Sequence, residues 1–209
     1  MNRRIRIDII SDVVCPWCVL GYKQLEHALE LTETTADIHW HPYELNPDMG
    51  PEGENLLKHV AAKYGTTPEG SEETQARITA LGAEVGFKFN YADDMRMVNT
   101  FRAHQLSYWA GTQGRSHEVM LALFSAFFTH RLDLNDPHVL ADCAATVGLD
   151  RNLALAMLQE AGYAHDVRKA EYYWVSRGIQ GVPVMLFDER IALVGAQGIE
   201  NFASALASI

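Results

Sequence analysis

The chain opens with a period-two pattern. Ile5, Ile7 and Ile9 alternate with Arg6 and Asp8, which predicts a strand with one apolar face. From Pro16 to Leu31 the period changes: Cys18, Tyr22, Leu25 and Leu29 share one helical stripe, with Gly21 a mild weakness in the interior. Ala36 to Tyr43 alternates again, Ile38 and Trp40 on one side and His39 and His41 on the other. Strand, helix, strand reads as a right-handed parallel unit.

Glu44 to Gly53 is rich in proline, glycine, asparagine and aspartate and marks a boundary. Helical patterns then follow one another: Leu56–Tyr64 ending at Gly65, a helix capped by Thr67-Pro68 that runs to Val85, Asn99–Ala110, and His117–Arg131. Met120, Leu123, Phe124, Phe127 and Phe128 give the last of these a broad apolar face, read as packed core. Asp136-Pro137 starts a helix that ends at Gly148, Asp150 caps another, and a further one reaches Arg177 before Gly178. Val182–Phe187 and Ile191–Val194 then read as a hairpin turning at Asp188-Glu189-Arg190, and Ile199–Ile209 as a closing helix. The expected architecture is α/β: a βαβ half, a helical block, then a ββα half. Residues 1–46 and 178–209 form the sheet unit and 47–177 the all-helical insertion.

The chemistry sits where the first strand meets the first helix, at Cys15-Pro16-Trp17-Cys18. A cysteine at a helix N-terminus faces unpaired backbone N–H groups and the positive end of the helix dipole, which favour the nucleophilic thiolate. Pro16 suits the first helical position, where no N–H is needed. Cys18 follows closely enough to attack a mixed disulfide formed at Cys15. A structural zinc site would need two more short-spaced ligands; the remaining cysteine, Cys143, is isolated and reads as a buried small apolar residue. An inert disulfide in so short a loop would restrain little of the unfolded chain. The reading is therefore redox chemistry, with no metal.

Gly181-Val182-Pro183 opens the third strand. A proline there is allowed as an edge feature; joined to the CxxC, a cis Val182–Pro183 bond that offers its backbone to an extended substrate is the favoured reading. Asp8 and Asp12 precede Cys15 closely but read as solvated charges or turn formers.

The 209 residues, 48% of them apolar, support a substantial core. A net charge of −10 argues against nucleic acid or an anionic membrane as partner. Three cysteines are too few for a secreted disulfide scaffold. Arg3-Arg4 is followed by Asp8 and Asp12 with no long apolar run, so a cytoplasmic location is expected.

With these residues in place, the chain resembles the DsbA-like thioredoxin-fold proteins, in particular the FrnE branch. The marks are Ser11-Asp12-Val13-Val14 with the CxxC, Leu45-Asn46-Pro47-Asp48-Met49, Asn99-Thr100 with Ala103-His104, Ala122-Leu123-Phe124 with Phe127-Phe128-Thr129, Gly181-Val182-Pro183 and Gly195-Ala196-Gln197. Val19-Leu20 departs from the aromatic residue that follows the CxxC in many relatives. The resemblance implies a thioredoxin fold (βαβ plus ββα, mixed sheet) with a helical insertion. It also implies dithiol–disulfide oxidoreductase or isomerase activity on protein or small-molecule disulfides, with Cys15 as nucleophile, Cys18 as resolving thiol, Pro16 and Trp17 as tuning residues and Pro183 as the cis-proline. The branch is related to 2-hydroxychromene-2-carboxylate isomerases and kappa-class glutathione transferases, so a glutathione-dependent isomerase or transferase is the alternative, and a non-enzymatic peptide-binding protein a further one. No cofactor is expected to be permanently bound. Glutathione is the implied redox partner, bound beside Pro183 and the Gly195–Gln197 turn, with Asn46, Asn99, His104 and Gln197 as pocket candidates; structural roles are the alternative for the first three of these.

Overall fold

A computed structural model describes residues 4–209. Strand β1 (Arg4–Ser11), helix α1 (Pro16–Leu31) and strand β2 (Thr35–Pro42) form the opening unit. The two strands are parallel, with Ile5 opposite Ala36 and Ile9 opposite Trp40. Strands β3 (Glu54–Asn55) and β4 (Arg96–Met97) make a short antiparallel pair. Around it lie α2 (Leu56–Tyr64), α3 (Pro68–Glu84), α4 (Phe101–Gly111), α5 (Ser116–Phe124), α6 (Pro137–Thr146), α7 (Arg151–Gln159) and α8 (Ala164–Val175). The chain then closes with β5 (Val184–Phe187), β6 (Ile191–Val194) and α9 (Ile199–Ala207). The main sheet runs β2-β1-β5-β6, and β5 is antiparallel to both its neighbours. This is the mixed sheet with inserted helices that the sequence pattern predicts.

The elements end where local chemistry ends them. Thr67, Asp136 and Asp150 accept backbone N–H bonds at the starts of α3, α6 and α7, supplying partners for otherwise orphaned donors. Gly65 closes α2 in the left-handed conformation. Three boundaries differ from the sequence reading. The helix expected over His117–Arg131 changes pitch at Ser125, and Ser125–Thr129 forms a π-helical turn in which the His130 N–H reaches back to the Ser125 carbonyl at 3.0 Å. That widened turn buries Ala126, Phe127 and Phe128 together. Strand β5 starts at Val184 instead of Val182, because Pro183 has no N–H to give a ladder. Helix α4 starts at Phe101, with Asn99 Oδ1 accepting the Phe101 N–H at 2.9 Å.

One sheet face buries Ile5, Ile7 and Ile9 against Tyr22 and Leu25 of α1 and Phe202 of α9. A second core fills the helical block and runs without a break into Val13, Cys15, Cys18 and Leu20. The helices therefore pack directly on the CxxC. His117 of α5 adds a polar tie, accepting from Trp40 Nε1 at 3.0 Å and meeting Tyr22 Oη at 3.1 Å. Asp8 is not a solvated charge: it is buried on the other sheet face, bonded by Arg6 and by His41. Burial by itself would raise its pKa, but those two partners hold it well below the ordinary carboxylate range.

Two glycines are set by close approach. A Cβ on Gly21 would lie 3.1 Å from Met185 Cε and 3.3 Å from Pro183 Cγ, so this glycine lets α1 press against β5 and is not merely a weak point. On Gly82 a Cβ would lie 2.5 Å from the Phe89 ring and 2.8 Å from the Phe87 carbonyl. Gly→Ala in a helix interior normally stabilises by about 1 kcal/mol; Gly82→Ala should instead destabilise by about 1–3 kcal/mol through overpacking. Urea unfolding measures it, and a midpoint at or above wild type would remove the argument.

Candidate active site

Strand β1 delivers the chain into a tight turn in which the Cys15 N–H donates to the Asp12 carbonyl at 3.1 Å. Cys15 is the N-cap of α1 and Pro16 its first residue, while the Cys18 and Val19 N–H groups donate back to the Cys15 carbonyl. Both cysteines are free thiols and both are buried, Cys15 at 3% and Cys18 at 0% exposure. Cys15 Sγ donates to the Val182 carbonyl at 3.7 Å. The Val182–Pro183 peptide is cis, and the Pro183 carbonyl accepts the Gly195 N–H at 2.8 Å.

Cys18 lies deeper than Cys15. Burial, then the hydrogen bond and charge of Cys15, push its pKa well above the ordinary thiol value; the Ser11 hydroxyl and the Asp12 backbone offset this in part. The two sulfurs thus divide the work by position. One lies at the head of the helix and the other is held protonated beneath it, chiefly by burial.

Asp12 forms the turn that leads into Cys15, as one of its two readings has it, but it is fully buried and not a solvated charge. Its Oδ2 accepts the Leu45 N–H at 2.7 Å and its Oδ1 lies 3.3 Å from His104 Nε2, an ion-pair distance without hydrogen-bond alignment. His104 is itself 2% exposed. Burial works against its charged form, but Asp12, with Glu171 and Glu44 behind it, outweighs burial and raises its pKa. Glu44 and Glu171 share the Arg168 guanidinium. Burial, then the neighbouring Glu171, raise the Glu44 pKa against the pull of Arg168.

Beside Cys15 a cavity of about 390 Å³ opens between the head of α1 and helices α2 and α3. Trp17 and Asn46 line it, as do His59, Lys63 and Tyr64 of α2 and Ser71 and Arg77 of α3. Burial draws the Lys63 pKa below its usual value, while Asp12 and Cys15 pull it upward.

A model of the DSBA-like thioredoxin domain matches residues 6–207 of the chain. The chain belongs to this family. Among solved structures, this DSBA-like domain is similar to a probable DsbA oxidoreductase from Streptomyces coelicolor, at 29% identity and a TM-score of 0.91, covering 98% of this chain and 89% of that one. It also shares its fold with the cytosolic disulfide reductase DsbM from Pseudomonas aeruginosa, whose structure holds GSH, at 16% identity and a TM-score of 0.65, covering 97% of this chain and 98% of that one. The Bacillus subtilis (strain 168) protein YwbO is 24% identical over 203 residues, 97% of this chain and 96% of its own length.

The DSBA-like fold gathers some of the sequence candidates and scatters others. Cys15, Pro16, Trp17 and Asn46 line the cavity, and Val182 and Pro183 adjoin Cys15. Asn99, His104 and Gln197 do not line it. Asn99 caps the start of α4 and donates to the Met49 carbonyl, His104 is sealed under Asp12, and exposed Gln197 donates to the Val194 carbonyl within its own turn. The cavity lies against α2 and α3, and the Gly195–Gln197 turn does not line it; the Gly195 N–H instead closes β6 onto the Pro183 carbonyl. The rim residues His59 and Lys63 escaped the sequence reading, although their i, i+4 spacing on α2 was a usable signal. Cys143 is buried in the helical core, and burial with nearby Asp142 raises its pKa to about 11.

Proposed function

We propose that this DSBA-like protein is a thiol–disulfide oxidoreductase of the FrnE type that works in the cytoplasm on protein or low-molecular-weight disulfides through Cys15 and Cys18. The observation that carries this is the stacking of the two free thiols at the head of α1, with Cys15 against the Val182 backbone and Cys18 bonded beneath it. The Cys15 thiolate attacks one sulfur of a substrate disulfide and the other sulfur leaves as a thiolate. Cys15 then carries no charge and no longer accepts a hydrogen bond from Cys18, so its share in holding Cys18 protonated is lifted while burial remains. Cys18 gives up its proton, attacks the Cys15 sulfur of the mixed disulfide and expels the second substrate thiolate. The substrate disulfide is reduced to two thiols, and the enzyme dithiol is oxidised to a disulfide. Glutathione, which DsbM holds in its structure, is the proposed reductant that restores the dithiol, with no resident cofactor needed. In a reducing compartment the dithiol form dominates, which favours reduction and isomerisation over net oxidation.

The test is stoichiometric. Reduced protein mixed with glutathione disulfide should release two thiols per chain and lose two alkylatable cysteines, with Cys143 still titrating. No release would overturn the proposal. Turnover of a small aromatic substrate that survives replacement of both site cysteines by serine would favour a glutathione-dependent isomerase instead.

A further inference from the structure

The walls of the cavity beside Cys15 are apolar over most of their extent, formed by Leu45, Leu56, Val60, Ile78, Met97 and Phe128. At about 390 Å³ the space lies at the lower end of the range that small-molecule sites occupy. Polar side chains interrupt it, and three of them bear on what the cavity holds. Ser71 is 1% exposed and its Oγ has no hydrogen-bond partner, a state buried hydroxyls rarely keep unless a ligand or water reaches them. Lys63, at the mouth, donates to the Leu45 carbonyl and to Asn46 Oδ1, both uncharged, and no carboxylate among the described residues pairs with it. Arg77, at the same mouth, lies over the Trp17 ring at 5.5 Å and likewise has no carboxylate partner. In a chain of net charge −10, two cations at one opening with no carboxylate in ion-pair contact among the described residues, Lys63 feeling Asp12 only at longer range, mark a place prepared for an anion.

We propose that this cavity binds the organic part of a small apolar thiol or disulfide that bears a carboxylate: the hydrocarbon body lies between α2 and α3, the carboxylate meets Lys63, and the sulfur is presented to Cys15. This rests on the oxidoreductase reading above and narrows its substrate class. For a symmetrical disulfide RS–SR, attack by Cys15 releases one RS⁻ and attack by Cys18 releases the second. The thiol protons of the two cysteines go to the departing thiolates, and two glutathione molecules then reduce the enzyme disulfide while becoming glutathione disulfide.

Binding can be tested apart from the redox step. Titration calorimetry with 4-phenylbutyrate should show one saturable site on the Cys15→Ser, Cys18→Ser variant, and 4-phenylbutylamine should bind at least about tenfold more weakly. Lys63→Met should erase that preference, and Gln75→Trp, which fills the cavity from a partly exposed position, should abolish binding of both. Circular dichroism checks that each variant is folded. On the wild-type protein the same acid should compete with 5,5′-dithiobis(2-nitrobenzoate) for reduction. Absence of saturable binding overturns the cavity assignment; equal binding of acid and amine, or a preference that survives Lys63→Met, overturns the role of Lys63. Intact binding with no thiol exchange in the wild type would overturn the oxidoreductase reading and leave the cavity standing.

Discussion

Serine at Cys15 is expected to lower disulfide exchange by about three orders of magnitude or more, because the hydroxyl that replaces the thiol is not ionised and the first covalent step is lost. Serine at Cys18 should act differently. The first attack survives and the second does not, so a mixed disulfide accumulates on Cys15 in place of turnover. The geometry dictates the asymmetry: Cys15 lines the cavity and adjoins Val182, whereas Cys18 has no exposed surface and meets the Cys15 sulfur from below. Intact-mass spectrometry after incubation with glutathione disulfide and acid quench reads the outcome. One glutathione adduct on Cys18→Ser and none on Cys15→Ser is the expected pattern. A stable adduct on Cys15→Ser would mean the roles are reversed.

The second large effect lies one layer beneath. Among the described residues, His104→Leu leaves the fully buried Asp12 carboxylate with the Leu45 N–H as its one close partner. Stranding one member of a buried ion pair costs about 3–5 kcal/mol, and the 3.3 Å separation without alignment places this pair toward the lower figure. Asp12→Asn added to His104→Leu should recover part of the loss, since an amide carries no charge to strand. The same turn positions Cys15 through the Asp12 carbonyl, so the single variant should lose exchange activity along with stability.

The pair also predicts a pH dependence. His104 has a folded pKa above its ordinary 6.5, so the native state holds that proton more tightly than the unfolded chain. Its stabilisation is complete below pH 6.5 and is lost as pH rises through the folded value. Glu44, raised above 4.5 by burial and by Glu171, acts in the same direction at lower pH. Asp8 has the opposite sign. Its lowered pKa gives stability that is present above pH 3.8 and disappears on further acidification. Urea midpoints from pH 6 to 9 should fall in the wild type and flatten in His104→Leu. Parallel curves would show that His104 does not titrate with folding.

Much of this was legible in the residue order because the governing interactions are local. The alternation of Ile5, Ile7 and Ile9, the caps at Thr67, Asp136 and Asp150, the stop at Gly65 and the Asp188–Arg190 turn each depend on a handful of neighbouring residues. The CxxC was legible for the same reason, since Cys15 and Cys18 are one helical turn apart and their relation survives any packing of the remainder. The pitch change at Ser125–Thr129 was not, because the packing of three aromatic side chains, and not local propensity, sets it. Nor was the fate of the polar candidates. Asn99, His104 and Gln197 lie near the site in the chain's logic but are consumed by a helix cap, a buried ion pair and a turn. Asp12 reads as a turn former, which it is, but its burial beside His104 depends on packing and not on its neighbours in the chain.

What the sequence by itself determined is the sheet order's raw material, the inserted run of helices, and a dithiol at the head of the first helix, all consequences of periodicity, capping and short spacing. Tertiary structure decided the rest: that a hollow lies beside Cys15, that Lys63 and Arg77 arrive together at its rim, and that Asp12 and His104 meet in the interior. Those facts depend on helices far apart in sequence arriving at one place, and no local pattern encodes the distance between two surfaces until they are packed.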